Sequence, residues 1–255
     1  MEWILLGSGT HVPLADRGSA GHLLVDGDRA ALFDCGTGTK DRLAIAGVAL
    51  QKISHAFISH AHLDHWADLI SLLFHRANAP DRSGLTIVAA EGLCTMIRQV
   101  AAVVSPSLLD SEVTFVEPER PVRSDWFEVQ AAAVSHGKTP ALAYRIGAGA
   151  ATICYSGDSG PCPSLESSAH GVDLLVCECA LPATAGVAGH MTPQDVRALA
   201  DRARPGLVVL THLYPEVLQP GVIASAFEGY EGKMTVGSDG LRIGLDQPPG
   251  MKMMG

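Results

Sequence analysis

The sequence predicts an α/β protein in which two β-sheets pack against each other with helices outside. Apolar residues make up 47% of the 255 residues and charged residues 18%, which is enough to build a large core. Continuous apolar runs bounded by Gly, Pro or Asp recur in both halves, as expected of strands buried on both faces. Helical patterns follow the strand-rich stretch of each half, which favours two sheets covered by helices.

The individual elements follow from local patterns. A series of apolar runs predicts strands at 3–6, 23–25, 30–33, 56–59, 85–89, 113–116, 127–134, 141–146, 151–155, 174–177 and 207–210. Helical spacing occurs at 64–77, 91–104 and 192–203, and it predicts that Trp66 and Phe74 are core residues of the first helix. Thr192 is expected to cap the last helix, because Pro193 and Asp195 follow it as in a capping box.

The chain organisation indicates one domain. Neither a linker-like segment nor a repeat of fixed period interrupts the pattern, so residues 1–246 are predicted to fold as a single domain. The tail 247–255 contains two prolines and two glycines and is expected to be poorly ordered.

Charge and targeting signals exclude several classes of protein. The net charge of −9 argues against a broad nucleic-acid-binding surface, which is usually basic. No apolar run approaches the roughly 18 residues that a membrane span needs. The N-terminus lacks the basic flank of a signal peptide, and most of the six cysteines lie in apolar runs, as reduced thiols do. We therefore expect a cytoplasmic protein.

A dense cluster of metal-binding residue types is the most informative feature. The segment His60-Ala61-His62-Leu63-Asp64-His65 directly follows a predicted strand and leads into a predicted helix. His60 and His62 alternate in an extended segment and can point together, whereas Asp64 and His65 lie on the turn and point elsewhere. Imidazole and carboxylate ligands suit Zn²⁺, and also Mn²⁺ or Fe. The segment therefore predicts two ligand pairs for two neighbouring ions.

Three further candidate ligands follow other predicted strands. His136 comes after the strand at 127–134, Asp158 after that at 151–155, and His212 after that at 207–210. In each case an apolar strand gives way abruptly to a residue type that binds metals. Because this occurs alongside the cluster at 60–65, it favours metal ligation over an ordinary structural role.

Other polar residues are candidates for contact with a substrate. His190 lies just before the cap of the last helix, where the helix dipole favours an anion, and two metal shells are complete without it. We expect it to donate a proton or to contact developing negative charge, an inert loop histidine being the alternative. Glu178 follows a buried run and either supports His190 or has a structural role. His11 follows a Gly-rich loop that could approach a substrate.

The histidine and aspartate pattern resembles the metallo-β-lactamase superfamily of metallohydrolases. The resemblance rests on the HxHxDH segment at 60–65 followed in order by His136, Asp158 and His212, and it extends from Leu5 to His212. It implies a four-layered αβ/βα sandwich of two mixed sheets with helices outside. It also implies two divalent metal ions, with zinc as the first choice and manganese or iron as alternatives.

The resemblance further implies a role for each candidate. The ligands divide between two ions: His60, His62 and His136 for one, Asp64, His65 and His212 for the other, with Asp158 bridging them. Asp64 would also orient the attacking water or accept its proton. Asp34, in Leu32-Phe33-Asp34-Cys35-Gly36, resembles the first acidic motif of the family, which orients the loop that carries the ligands.

Two segments resemble the ribonuclease Z-like branch of the superfamily: Tyr155-Ser156-Gly157-Asp158 and Gly189-His190-Met191-Thr192. In that branch the extra histidine assists phosphodiester cleavage, and the lactamase, glyoxalase II and lactonase branches usually lack it. Ribonuclease Z itself carries a long tRNA-gripping arm, whereas His136 and Asp158 are only 22 positions apart here. The chain looks closer to the small cyclic-phosphate phosphodiesterases, although it lacks the Cys-rich structural zinc motif of the phosphonate-pathway enzyme.

These features predict a dinuclear metal-dependent phosphodiesterase that cleaves a small or cyclic phosphodiester with a metal-bridged hydroxide. One alternative is a tRNA 3′-processing endonuclease, which the missing arm and the acidic charge disfavour. Another is a lactone or thioester hydrolase, which His190 disfavours. The expected partner is a small-molecule phosphodiester. Extended nucleic-acid binding and membrane association are not expected, and the resemblance is compatible with a homodimer.

Overall fold

The structure, a computed structural model, describes residues 1–80, 83–109, 112–246 and 250–253, the last four through their backbone. Its strands are β1 (Glu2–Gly7), β2 (Gly21–Asp26), β3 (Arg29–Cys35), β4 (Ile53–Ile58), β5 (Leu85–Ala89), β6 (Val113–Val116), β7 (Val122–Arg123), β8 (Glu128–Val134), β9 (Ala141–Ala148), β10 (Ala151–Tyr155), β11 (Leu174–Glu178), β12 (Leu207–Thr211), β13 (Met234–Val236), β14 (Leu241–Gly244) and β15 (Gly250–Met253). Its α-helices are α1 (Thr39–Ile45), α2 (Ala67–Asn78), α3 (Leu93–Val104), α4 (Pro163–Ala169), α5 (Pro193–Ala203) and α6 (Val222–Ala226).

The strands form two mixed sheets. The first has the order β15-β14-β1-β2-β3-β4-β5-β6, and its strands are antiparallel up to β3 and parallel from β3 to β6. The second has the order β13-β12-β11-β10-β9-β8-β7, and it is parallel from β13 to β10 and antiparallel beyond. This arrangement confirms the predicted architecture of two mixed sheets.

Three apolar layers hold the two sheets and their helices together. One layer lies between α1, α2, α3 and the first sheet, and another lies between α4, α5, α6 and the second sheet. The layer between the sheets is rich in aromatic side chains, among them Trp3, Phe33, Phe57, Tyr144 and Tyr155, all of them buried. Burial of such large rings contributes much of the free energy that stabilises the sandwich.

Most of the predicted elements coincide with observed ones. Every predicted strand lies on an observed strand, and Thr192 caps α5 in a complete capping box with Asp195. The helix predicted to begin at 64 begins at Ala67, after a 3-10 turn at Leu63–His65. Trp66 is buried as predicted, but Phe74 is 54% exposed, so its prediction as a core residue was wrong. The buried face of α2 instead follows Leu69, Leu72, Leu73, Arg76 and Ala77, which turns position 74 outwards.

The elements that the sequence did not reveal are short. Helices α1, α4 and α6 have five to seven residues, which is too short for a clear period, and β7, β13 and β14 have two to four. The tail was expected to be poorly ordered. Residues 247–249 and 254–255 lie outside the described residues, and the backbone of Gly250–Met253 pairs antiparallel with β14.

The topology brings several loop segments to one edge of the sandwich. The residues that follow β4, β10, β11 and β12 all leave the carboxyl ends of parallel strands, where ligand sites of α/β sheets usually form. Within the described ranges, no helix combines the length and the apolar character that crossing a membrane requires.

The aromatic layer between the sheets yields a test of the fold. Phe57 is fully buried and stacks on Phe33 with ring centroids 4.8 Å apart. Phe57→Ala should lower the free energy of unfolding by about 3–5 kcal/mol in urea titrations, because it removes a ring from a close-packed layer. The matched control Phe74→Ala, on the exposed face of α2, should lower it by less than about 1 kcal/mol. Equal losses in the two variants would contradict the layer assignment.

Candidate metal centre

The structure brings the candidate metal ligands together with Asp34, Glu178 and His190, ten residues in all, at the same edge of the sandwich. Those expected to be metal ligands form two groups whose potential ligand atoms lie within 4.8 Å of one another: His60, His62, His136 and Asp158 in the first, and Asp64, His65 and His212 in the second. Asp34 and Glu178 lie behind these groups, and His190 lies beside them. Asp158, His190 and His212 also meet as a third, overlapping group.

The first group is a ring of facing imidazole nitrogens. His62 Nδ1 lies 2.9 Å from His60 Nε2 and 3.1 Å from His136 Nε2. His136 Nδ1 donates a hydrogen bond to the carbonyl of Gly189 at 2.8 Å, so its Nε2 lone pair faces the group. Burial lowers the pKa of His60 well below its ordinary value, and the charge of His65 lowers it further. A neutral imidazole is the form that binds a metal.

The second group faces the first from the turn before α2 and from the end of β12. His212 Nε2 lies 3.3 Å from Asp64 Oδ2, and His65 Nε2 lies 3.8 Å from the same oxygen. Burial alone would raise the pKa of Asp64, but the hydrogen bond with His212 and the charge of His65 hold it below its ordinary value. His212 has a left-handed backbone with φ of 54°, which is uncommon for a residue other than glycine and is typical of functional sites.

Asp158 lies between the two groups. Its Oδ2 is 3.7 Å from His60 Nε2 and 3.4 Å from His212 Nε2, and its Oδ1 is 3.4 Å from His65 Nε2. The preceding Gly157 has φ of 54°, and a Cβ there would lie 2.6 Å from the carbonyl oxygen of Leu142. A tight, glycine-dependent turn thus delivers one carboxylate to both groups.

The buried donor atoms fit a divalent cation. His65 Nε2 and Asp158 Oδ1 are buried and form no hydrogen bond, although such atoms are rarely left unpaired in proteins. Burial lowers the pKa of His65, yet the carboxylates of Asp158 and Asp34 outweigh this and raise it well above its ordinary value. A proton on His65 therefore balances carboxylates that a bound cation would balance. Imidazole nitrogens with carboxylate oxygens are the ligands of zinc and related ions.

Asp34 fixes the geometry of both groups from behind. In the pairing of β2 with β3, Gly21 faces Cys35 and His22 faces Phe33, so Asp34 is the extra residue of a β-bulge. Its φ of 56° turns the carboxylate into the site. The carboxylate accepts hydrogen bonds from Ser59 N (2.6 Å), Ser59 Oγ (2.8 Å), His65 Nδ1 (2.7 Å) and Tyr155 OH (2.5 Å).

His190 is held by a buried carboxylate. Its Nδ1 lies 3.1 and 3.2 Å from the two oxygens of Glu178, which also accepts from the backbone N–H groups of Ser159 and Met191. Burial lowers the pKa of His190, but the hydrogen bond and the charge of Glu178 outweigh it and raise the pKa to about 9. The ring lies 4.9 Å from that of His136 and stacks 5.7 Å from that of His212.

Several residues of the site were not assigned a role from the sequence. Ser59 and Tyr155 are partners of Asp34, and both are ordinary strand-end residues that no spacing rule marks. Tyr214 lies two residues after His212 with its ring 5.8 Å from that of the histidine. Burial and the nearby carboxylates raise the pKa of Tyr214 to about 12, so the phenol is neutral at pH 7. In the sequence, the only signal for Tyr214 is its position two residues after the candidate ligand His212.

Comparison with known families agrees with this geometry. A family model described as a β-lactamase superfamily domain matches residues 29–213, a range that contains all ten site residues. The chain belongs to the metallo-β-lactamase superfamily. This membership confirms the resemblance seen in the sequence, and together with the relatives below it makes the protein a metal-dependent hydrolase.

The similarity to individual relatives extends over almost the whole chain. A protein named ribonuclease Z from Mycobacterium bovis (strain BCG / Pasteur 1173P2) is 27% identical over 276 residues, which cover 95% of this chain and 98% of the relative. Three solved structures share the fold. They are the metallo-β-lactamase fold protein YhfI from Bacillus subtilis (24% identity, 94% and 97% coverage of the two chains, TM-score 0.83), the short form of human tRNase Z (23%, 97% and 100%, 0.78) and a diphosphatase of the PhnP family (18%, 98% and 99%, 0.74).

The loop that supports His136 provides a test of the site geometry. Gly189 has φ of 89°, and a Cβ there would lie 2.8 Å from the backbone nitrogen of Gly137. Gly189→Ala should therefore displace His136 and weaken metal binding by about tenfold or more, the usual effect of losing the partner of a ligand. Isothermal titration calorimetry with zinc measures the change in metal affinity.

The same loop offers a matched control. Gly186 also has a left-handed backbone, with φ of 62°, but no atom lies within 4 Å of a Cβ built there. Gly186→Ala should strain the backbone to a similar degree without moving His136, so its metal affinity should stay within about twofold of the wild-type value. Equal metal affinities in the two variants would refute the role of Gly189.

Proposed function

We propose that the protein is a dinuclear metal-dependent phosphodiesterase that acts on a small or cyclic phosphodiester. In this proposal His60, His62 and His136 hold one ion, Asp64, His65 and His212 hold the other, and Asp158 bridges them. The division follows the two groups of facing donor atoms. The set of imidazole nitrogens and carboxylate oxygens favours zinc, with manganese or iron as alternatives.

The observation that carries the proposal is the His190–Glu178 pair beside these donor atoms. The Nδ1 of His190 is engaged by a buried carboxylate, which leaves Nε2 available for a substrate. Hydrolysis of a phosphodiester needs a proton for the departing ester oxygen and compensation for negative charge on the phosphate. A histidine kept protonated next to the ligand groups serves both needs, and a carboxyl-ester hydrolase with a comparable donor set has less need of it.

The residues of the chain then divide the work. Two bound divalent cations supply an activated water and neutralise charge on the phosphate oxygens. His190 donates a proton to the leaving oxygen, and Glu178 holds the ring in place and favours its protonated form. Asp64, whose carboxyl is ionised at neutral pH, orients the attacking water or accepts its proton. Asp34 keeps the donor nitrogen of His65 directed at the site.

The surface around the site supports a small substrate. The segment between His136 and Asp158 is the hairpin of β9 and β10, and Gly149 and Ala150 form its two-residue turn. No arm protrudes from this fully described segment. The alignment with the mycobacterial relative spans more positions than the 255 residues of this chain, so that relative has inserted residues that this chain lacks. The net charge of −9 also disfavours a long polyanion.

A second candidate is tRNA 3′ processing. It is favoured by relatives named ribonuclease Z that match this chain over nearly their whole length. Phosphodiester cleavage at the metal centre is common to both candidates, so they differ in the surface that binds the substrate. The two candidates are therefore distinguished by which substrate the protein cleaves.

A substrate panel tests the proposal. Purified protein is supplied with zinc or manganese and assayed with bis(p-nitrophenyl) phosphate, a 2′,3′-cyclic nucleotide, a precursor tRNA and a lactone. We expect turnover of the first two compounds and none of the precursor tRNA or the lactone. Cleavage of the precursor tRNA at its 3′ end would favour the second candidate. Turnover of the lactone alone would overturn the phosphodiesterase proposal.

Replacement of His190 separates catalysis from metal binding. His190→Ala should lower kcat for bis(p-nitrophenyl) phosphate by about 100-fold, the usual contribution of a positioned proton donor. The metal content, measured by elemental analysis, should stay at the wild-type value, because Nδ1 is engaged by Glu178. His75→Ala, which changes an exposed histidine on α2, serves as the control for turnover.

The opposite pattern would refute this role. His190 also meets Asp158 and His212 closely enough to be a metal ligand. If His190→Ala loses about as much metal as activity, the residue is a ligand and the proton-donor assignment is wrong.

The pH profile tests the Glu178–His190 pair independently. Because protonated His190 is the active form, kcat should fall as the pH rises through the pKa of His190, which is about 9 in the metal-free protein and lower once cations bind nearby. Glu178→Gln removes the carboxylate that favours the protonated form. It should therefore move the alkaline limb of the kcat profile to lower pH. An alkaline limb that does not move would contradict the pairing.

A further inference from the structure

Tyr214 lies beside His190 and His212 at the edge of the candidate metal centre. Its ring is 5.8 Å from that of His212 and 6.4 Å from that of His190, and it stands nearly perpendicular to both, at 76° and 77°. The two histidine rings are almost parallel to each other, at 9°. Tyr214 is only half-buried, so it forms a side wall of the site rather than part of the core.

His11 completes this wall from a different part of the chain. The hydroxyl of Tyr214 lies 3.1 Å from His11 Nδ1, and the two rings meet edge to face at 5.4 Å and 76°. His11 is exposed, and it has no place in either group of donor atoms. The sequence had placed it in a loop that could approach a substrate, and the structure puts that loop next to Tyr214.

The loop that carries His11 is held firmly in place. The carboxylate of Asp239 accepts hydrogen bonds from Ser8 N (2.9 Å), Gly18 N (2.7 Å) and Arg42 Nε (2.6 Å), which ties both ends of the loop to one group. The backbone N–H of Leu213 donates to the carbonyl of Ser8 at 3.0 Å. The His11 loop and the Tyr214 segment are therefore joined by a backbone hydrogen bond, which fixes the position of the two side chains' segments relative to each other.

We propose that Tyr214 and His11 bind an ester substituent of the phosphodiester and give the enzyme a preference for flat, aromatic substituents. This inference rests on the proposed phosphodiesterase function. A phosphate group in contact with His190 has its ester substituents within reach of the Tyr214 ring, which lies 6.4 Å from the His190 ring. An aromatic wall favours an aryl or nucleobase group over an alkyl group through ring contacts. Tyr214 and His11 thus determine specificity, while His190 acts in the reaction itself.

Competitive inhibition by two phosphate monoesters tests the inference. Phenyl phosphate and methyl phosphate differ only in the substituent, and their inhibition constants are measured against bis(p-nitrophenyl) phosphate hydrolysis. We expect the wild-type enzyme to bind phenyl phosphate about five- to tenfold more tightly than methyl phosphate. Tyr214→Leu fills similar space without an aromatic ring, so it should reduce this ratio to about one and leave the constant for methyl phosphate nearly unchanged.

Three further variants sharpen the result. Tyr214→Phe keeps the ring but loses the hydrogen bond to His11, and His11→Ala loses the same hydrogen bond from the other side. Each of these variants should give a phenyl-to-methyl preference between that of the wild type and that of Tyr214→Leu. Tyr230→Leu, which changes a half-buried tyrosine that packs on Phe227, is the matched control and should keep the wild-type ratio. Melting temperature and metal content are measured for each variant, so that a folding defect is recognised.

The outcomes distinguish the two proposals. A protein with no phosphodiesterase activity would refute the proposed function and, with it, this inference. Full activity with an unchanged phenyl-to-methyl ratio in a folded, metal-loaded Tyr214→Leu variant would refute the aromatic wall alone. A ratio that falls as far in Tyr214→Phe as in Tyr214→Leu would show that the hydroxyl, rather than the ring, carries the preference, and it would also overturn the inference.

Discussion

The hydrogen bonds of the Asp34 carboxylate are the interaction on which the site depends. The Asp34 carboxylate accepts hydrogen bonds from His65 Nδ1 and from the hydroxyl of Ser59. The oxygen of that hydroxyl lies 3.0 Å from His60 Nδ1. One carboxylate therefore sets which nitrogen of His60 and of His65 faces the centre. It can do so because a β-bulge with a left-handed backbone turns it out of its sheet, and because Tyr155, from the other sheet, donates to it. The centre thus rests on contacts between the two sheets.

A second support joins a candidate metal ligand to the candidate proton donor. In the loop before α5, the carbonyl of Gly189 accepts a hydrogen bond from His136 Nδ1. The next residue, His190, is hydrogen-bonded to Glu178 at the end of β11. A displacement of this loop would move a candidate ligand and the candidate proton donor together. Close backbone packing of Gly189 against Gly137 limits such a displacement, so both groups share one rigid frame.

The sequence could place the candidate ligands together because the segments that carry them follow apolar strands, and strand ends converge at one edge of a parallel sheet. It also predicted the layers of the fold, since burial on both faces leaves continuous apolar runs. Only the family resemblance pointed to Asp34, because its orientation depends on a β-bulge that no spacing rule predicts. The contact between His11 and Tyr214, which lie 203 residues apart, left no signal in the sequence. Phe74 was misplaced because apolar character alone does not fix which face of α2 is buried. The short helices were missed because less than two turns gives no readable period.

Metal stoichiometry tests the central claim most directly, namely that the two groups of donor atoms form one dinuclear centre. Elemental analysis of the protein after equilibration with zinc, and again with manganese, should give about two ions per chain. Chelation should remove both ions, and adding metal back should restore them. About one ion per chain would contradict the bridging role of Asp158. No bound metal under any of these conditions would refute the account of the site.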